Sequence, residues 1–199
     1  AHNGGSLRFG PDGKLYASVG DDVDGCGARS PSSGVGCLLR LDVGGLPPTP
    51  SLVAPSYALL DPGDNPLSSA TDLSRLVVAH GLRNPFRIEV DPATGSVYLG
   101  DVGEATCEEV SEYPVGQGPL PLLDFGWPIR EGSQPFSTCP GLPTGALTEP
   151  IFAIDHAASS WRSIVAGPRY RNPATGGFGA EYEGDVFVTD VYSGDIRRL

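Results

Sequence analysis

The sequence has no methionine, only two tryptophans and three histidines, and few basic residues: Lys+Arg 13 against Asp+Glu 24, a formal charge of -11. A chain this acidic, with a pI near 4.5, repels phosphate backbones and anionic lipid, so no nucleic-acid partner is expected. Missing too is any apolar run near the roughly 20 residues that cross a bilayer, or a charged-then-apolar leader, so no membrane span is expected. Apolar residues at sustained helical spacing are almost absent, which argues against long helices. With no methionine and a start at Ala1-His2, the chain is expected to be a mature product or a piece of a longer protein, here a single partial domain over residues 1–199.

Glycine and proline are abundant, Gly 28 and Pro 20 in 199 residues, which points to many turns. Disorder is a poor explanation, because 39% hydrophobic against 19% charged residues can support a core. The four cysteines lie in Gly/Pro-rich stretches without C-x-x-C metal spacing. Their order suggests two local disulfides, Cys26 with Cys37 and Cys107 with Cys139, and an oxidising, extracytoplasmic compartment; four free thiols in a cytosolic protein is the alternative.

What remains reads as short alternating strands, an all-β chain. Residues 7–9, the turn Gly10-Pro11-Asp12-Gly13, and residues 14–19 closing on Gly20-Asp21 form one hairpin phrase. The phrase returns as residues 87–90, the turn Asp91-Pro92-Ala93-Thr94-Gly95, and residues 96–99 closing on Gly100-Asp101. A looser third copy joins Arg169-Tyr170-Arg171, through a long Gly-rich connection, to residues 184–190. A further strand follows each copy, over residues 37–43, 109–113 and 195–199. A hairpin recurring at unequal intervals is the mark of a β-propeller, with about three blades here. Residues 46–74 and 116–150 lack a period and read as ordered loops, where binding groups tend to sit.

Several strings occur in a fixed order: His2-Asn3-Gly4-Gly5-Ser6, Gly10-Pro11-Asp12-Gly13, Gly20-Asp21, Gly81-Leu82-Arg83-Asn84-Pro85, Gly100-Asp101-Val102-Gly103 with Glu108-Glu109-Val110, and Phe125-Gly126-Trp127-Pro128 with Glu131-Gly132. Together they resemble the glucose/sorbosone dehydrogenase family of soluble quinoprotein sugar dehydrogenases. That family also takes in the propeller domains of hedgehog-interacting proteins, which have no known redox chemistry. The resemblance implies a six-bladed propeller that binds pyrroloquinoline quinone and calcium, oxidises a sugar hydroxyl and passes the electrons to an acceptor. It places His2 as the general base, a role suited to a group titrating near operating pH. It places Arg83 as the cation that stabilises charge on the quinone, with Asn84 beside it as a cofactor contact. It places the main-chain oxygens of Gly103 and Glu104 as calcium ligands, although the loop here lacks the Gln or Pro of many relatives. Blades and cofactor contacts beyond the chain's ends would come from the rest of a longer chain or from a partner.

Each candidate also has a plainer reading: a frayed terminus for His2, a strand-end carbonyl clamp for Arg83, a turn for Asn84-Pro85. Asp21, Asp22 and Asp24 read as a solvated acidic loop and Trp127 as packing between blades. Glu108 and Glu109 are expected on opposite faces of one strand, and His80 and His156 carry no role. A non-catalytic secreted propeller that binds protein or glycan is the alternative function.

Overall fold

The Gly and Pro turns mark where the sheets fold back in the computed structural model, which describes residues 2–116, 118–142 and 145–199. In the first hairpin, β1 (Gly4–Phe9) and β2 (Leu15–Val19) are joined by a turn in which Gly13, at φ 73°, donates its amide to the Gly10 carbonyl at 3.0 Å. Such a φ favours glycine. β3 (Cys37–Leu41) and β4 (Val77–His80) continue this antiparallel sheet. The second sheet repeats the plan with β5 (Pro85–Val90), β6 (Val97–Asp101) and β7 (Cys107–Tyr113), its turn closed by the Gly95 amide on the Asp91 carbonyl at 2.8 Å.

Residues 116–150, read as loop, carry three two-residue strands. β8 (Leu123–Asp124) adds parallel to β4, and β9 (Arg130–Glu131) pairs with β10 (Gln134–Pro135) as a separate ribbon. Positions 117, 143 and 144 of that stretch lie outside the described residues. β11 (Phe152–Asp155) then returns to β7 and completes the second sheet. The third sheet comprises β12 (Ile164–Arg169), β13 (Val186–Asp190) and β14 (Ile196–Arg198). Its first strand starts earlier than the expected Arg169-Tyr170-Arg171, because the residues that bury are Ile164 and Ala166. The compact Asp-to-Gly turn falls one hairpin later, with the Gly194 amide on the Asp190 carbonyl at 3.0 Å. The other stretch read as loop, residues 46–74, contains one short helix, α1 (Tyr57–Leu60), whose Leu59 amide is capped by the Ser56 hydroxyl at 3.3 Å.

Strand alternation decides how the sheets stack. On β6, Val97 and Leu99 enter one apolar cluster with Tyr16, Leu38, Ile88 and Tyr113, between the first and second sheets. Tyr98, pointing the other way, joins Val110, Trp161, Ile164 and Val188 between the second and third. The middle sheet is therefore buried on both faces. β1, β5 and β12 lie side by side, and Arg8 on β1 clamps Glu89 on β5 through Nε at 2.9 Å and Nη2 at 2.6 Å. This is the expected all-β arrangement of stacked blades. Leu7 and Phe9 on β1 and Ile196 on β14 are exposed, so each outer sheet has an uncovered face.

The cysteine pairing differs from the local one expected. Cys26 bonds Cys139 across a sequence separation of 113, while Cys37 and Cys107 are buried free thiols. The reason is geometric. Cys37 is fixed within β3 between Val19 and His80, and Cys107 opens β7 opposite Asp155. The loops bearing Cys26 and Cys139 instead meet, with Cα atoms 5.6 Å apart, a separation that a disulfide accepts. Burial pushes the Cys37 thiol up to about 12, so it stays protonated and unreactive near neutrality.

Candidate active site

The Asn3-Gly4-Gly5 and Gly20-Asp21 strings meet in space. Gly4 and Gly5 take φ 61° and 91°, and a Cβ on Gly20 would collide with the His2 carbonyl. Without that side chain the N-terminal strand lies close over Gly20 and brings His2 onto Asp21. The His2 Nδ1 to Asp21 Oδ1 distance is 2.6 Å. Asp21 is 1% exposed, where a solvated loop residue was expected. Its carboxylate also accepts from the Val23 amide at 2.9 Å and from the Trp127 indole Nε1 at 2.8 Å. A carboxylate only accepts, so Nδ1 of His2 donates to it, and in the neutral imidazole this arrangement leaves the Nε2 lone pair free. Asp22 and Asp24 are exposed, as expected.

Trp127 does more than pack. Its ring backs the Arg83 guanidinium, 5.6 Å from the ring centroid. Arg83 is buried. Its Nη1 donates to the Val102 carbonyl at 2.8 Å, its Nη2 meets the Glu104 carboxylate, and its Nε has no partner among the described residues. The carbonyl-clamp reading of Arg83 thus holds for Nη1, while Nε is left for something else. Asn84 serves the fold: its Oδ1 accepts the Gly4 amide at 3.3 Å, tying β1 to the Arg83 turn. Asp101 anchors that turn from below, accepting the amides of Arg83 at 2.9 Å and Asn84 at 2.6 Å.

The loop after β6 is shaped by a residue that sequence reading passed over. Glu131 is 2% exposed and accepts the amides of Glu104 at 2.5 Å, Ala105 at 3.0 Å and Thr106 at 3.2 Å. Successive amides converging on one carboxylate form an anion nest. A Cβ on Gly103 would collide with the Cys107 carbonyl, so only glycine lets the loop turn this tightly. Among the described residues no hydrogen bond reaches the carbonyl oxygens of Gly103 and Glu104, which suits main-chain ligation of a hard cation. No group of three or more His, Cys, Asp or Glu side chains that could hold a metal is found among the described residues. Calcium here would rest on those carbonyls.

Glu108 and Glu109 do diverge. Glu108 faces the third sheet, bonding His156 Nε2 at 2.8 Å and the Ile164 amide at 3.0 Å. His156, just past β11, steadies Glu108 within the second sheet while Glu108 reaches the third, and His80 is a buried histidine 4.0 Å from Asp124. Glu109 turns the other way, accepting the Gly132 amide, and lines a cavity of about 10 Å³ with Asp101, Glu131, Arg83 and Arg130. That volume suits about one water.

Burial, reinforced by Glu109, pushes the Asp101 carboxyl up to about 8, and burial, reinforced by Glu131 and Glu108, pushes Glu109 up to about 7. Both folded values lie above the unfolded ones. Each group therefore stabilises the fold fully below about pH 4, and that contribution is lost as pH rises through 7 to 8. Glu109→Gln is expected to flatten the fall in denaturation midpoint between pH 5.5 and 8; equal slopes in wild type and variant would refute this.

His2, Val23, Gly25, Glu104, Trp127 and Phe136 line one open groove of about 320 Å³, near the lower end of the roughly 300–1,000 Å³ common for small-molecule sites. The structure thus brings His2 and Glu104 to one groove, joins Arg83 to it through Glu104 and Trp127, places Arg83 and Gly103 on the small cavity beside it, and gives Asn84 a turn-holding role. Asp21, Trp127 and Glu131 were not assigned to the site from sequence. The Gly20-Asp21 and Glu131-Gly132 strings held the signal for two of them.

Comparison with known proteins bears on the fold and the family. The PQQ-bound aldose sugar dehydrogenase of Streptomyces coelicolor superposes with a TM-score of 0.60 at 22% identity, over 100% of this chain and 49% of that one. A solved glucose dehydrogenase gives 0.67 at 22% identity, over 100% and 50%. Among curated sequences, HIPL1 protein of Arabidopsis thaliana is 30% identical over 98% of this chain and 30% of its own length. Hedgehog-interacting protein of Homo sapiens is 38% identical over 45% of this chain and 12% of its own. The chain thus spans about a third of these curated relatives at most and about half of the solved structures. The glucose/sorbosone dehydrogenase family profile matches residues 1–199, and the chain belongs to that family.

Proposed function

We propose that the protein containing this chain oxidises a sugar hydroxyl with pyrroloquinoline quinone and calcium. The observation that carries the proposal is a histidine oriented by a buried aspartate, His2 on Asp21, sharing a groove with the loop beside Arg83. When bound, the quinone supplies a two-electron acceptor for the hydride leaving the sugar carbon. His2 Nε2 takes the hydroxyl proton as the C–O bond gains double-bond character, and Asp21 stabilises the resulting imidazolium. Arg83, with Nε unpartnered, offers a fixed positive charge toward bound anionic oxygen. The Gly103 and Glu104 carbonyls would hold calcium, and Glu131 fixes their loop. An electron acceptor then regenerates the site.

The Cys26–Cys139 bond supports an extracytoplasmic setting, and no helix among the described residues is long and apolar enough to cross a membrane. We take the chain as one partial propeller domain, with further blades from the rest of the protein or a partner covering the outer sheets. The second reading, a non-catalytic propeller that binds protein or glycan, is favoured by one observation: Glu104 already occupies Nη2 of Arg83. The test is aldose-dependent dye reduction by the full-length protein given calcium and the quinone. Turnover is expected; no turnover together with no quinone binding would leave the second reading.

A further inference from the structure

We propose that the Glu104 side chain is a self-supplied occupant of an anion seat on Arg83, which a carboxylate-bearing ligand must displace. Where that ligand is the quinone, the inference rests on the function proposed above and makes Glu104 the residue that sets cofactor affinity.

The seat is built from buried groups. The Arg83 guanidinium is held from one side by the Val102 carbonyl and backed by the Trp127 ring. Asp101 holds its backbone amide. Within this frame Nη2 meets Glu104, and Nε, buried and without a partner among the described residues, has a donor to spare. A planar fork with one arm unmet matches a carboxylate or a pair of adjacent ring oxygens.

Glu104 differs from its surroundings. Its side chain is 49% exposed while that of Arg83 is 10% exposed. Its backbone is anchored by Glu131 through the amide, independently of the carboxylate. The side chain can therefore swing into the groove that it shares with His2 while its carbonyl stays in place. The remaining charges nearby argue the same way. Arg130, the other cation lining the cavity beside Arg83, is held by Glu149, and Asp21 and Glu131 are acidic, so among the described residues Arg83 is the cation left for an incoming anion, and Glu104 neutralises it. Binding exchanges one carboxylate for another at Arg83, which keeps affinity low unless the ligand brings several anionic groups or a cation.

The experiment uses the full-length protein, with two probes: pyrroloquinoline quinone and the redox-inert benzene-1,2,4-tricarboxylate. Dissociation constants are read from quenching of tryptophan fluorescence, with and without calcium. Glu104→Gln keeps size and carbonyl but removes the competing charge, and is expected to tighten both probes about fivefold, the upper range for a partly exposed ion pair. Arg83→Gln should weaken both probes and erase the gain from Glu104→Gln in the double variant.

Unchanged or weaker binding in Glu104→Gln, or a gain that survives Arg83→Gln, would overturn the inference; weaker binding seen only with calcium would mark Glu104 as a cation ligand instead. Tricarboxylate binding in the expected order without sugar-dependent dye reduction would remove the proposed activity and leave the anion seat standing. Dye reduction with no effect of Glu104→Gln would do the reverse.

Discussion

Asp21→Asn is expected to lower kcat for sugar oxidation by about 10²–10⁴-fold while leaving quinone affinity nearly unchanged. Three donors converge on the Asp21 carboxylate: His2 Nδ1, the Val23 amide and the Trp127 indole. An asparagine supplies one acceptor oxygen and an NH₂ group. If the NH₂ faces His2, the imidazole must present a lone pair at Nδ1, which moves its proton to Nε2 and removes the base. If it faces the indole, a buried N–H donor meets a donor and the Trp127 ring shifts off Arg83. The first outcome acts on the chemical step through the position of one proton; the second also loosens the ring behind Arg83, so an unchanged quinone affinity marks the first. His2→Ala should fall by a similar factor, and the double variant should fall little further, because the pair acts as one unit. A kcat within threefold of wild type in Asp21→Asn, measured by dye reduction at saturating sugar, would remove Asp21 from this role.

Loss of the Cys26–Cys139 bond should have the largest effect on stability. It closes a loop of 113 residues, and the chain-entropy argument assigns such a crosslink about 4–5 kcal/mol. For a domain of this size that corresponds to a fall in Tm of roughly 10–15 °C, read by thermal unfolding of Cys26→Ser or of the protein under reductant. The bond also joins two walls of the groove, since Gly25 and Cys26 face Phe136 and Ser137 across it. The buried thiols Cys37 and Cys107 should contribute little to this difference, so Cys37→Ser under oxidising conditions should lose far less than Cys26→Ser. Equal losses in the two variants would show that the crosslink is not what stabilises the fold.

Much of this site was legible as residue strings and illegible as contacts. The Asn-Gly-Gly and Gly-Asp strings pointed to His2, yet the purpose of their glycines emerges only where Gly20 lies against the His2 carbonyl. Asp21 looked like one of three loop acids because Asp22 and Asp24 stand beside it. It is set apart by Trp127, 106 positions away, which no local pattern could indicate. Glu131 stood inside a string that pointed to the family, but its three amide partners lie 25 to 27 positions earlier. Glu108 and Glu109 were read correctly, since strand alternation is a local property.

The sequence by itself determined the first two hairpins, their turns, the alternation that buries the middle sheet on both faces, and the order of the strings carrying His2, Arg83 and Gly103. These depend on backbone preference and side-chain period over a few residues. The tertiary structure decided which cysteines pair, which aspartate is buried under the histidine, what shapes the loop beside Arg83 and where Glu104 rests. Each of these is a meeting between elements far apart in the chain, set by how one sheet packs against the next, and short-range chemistry carries no record of such distances.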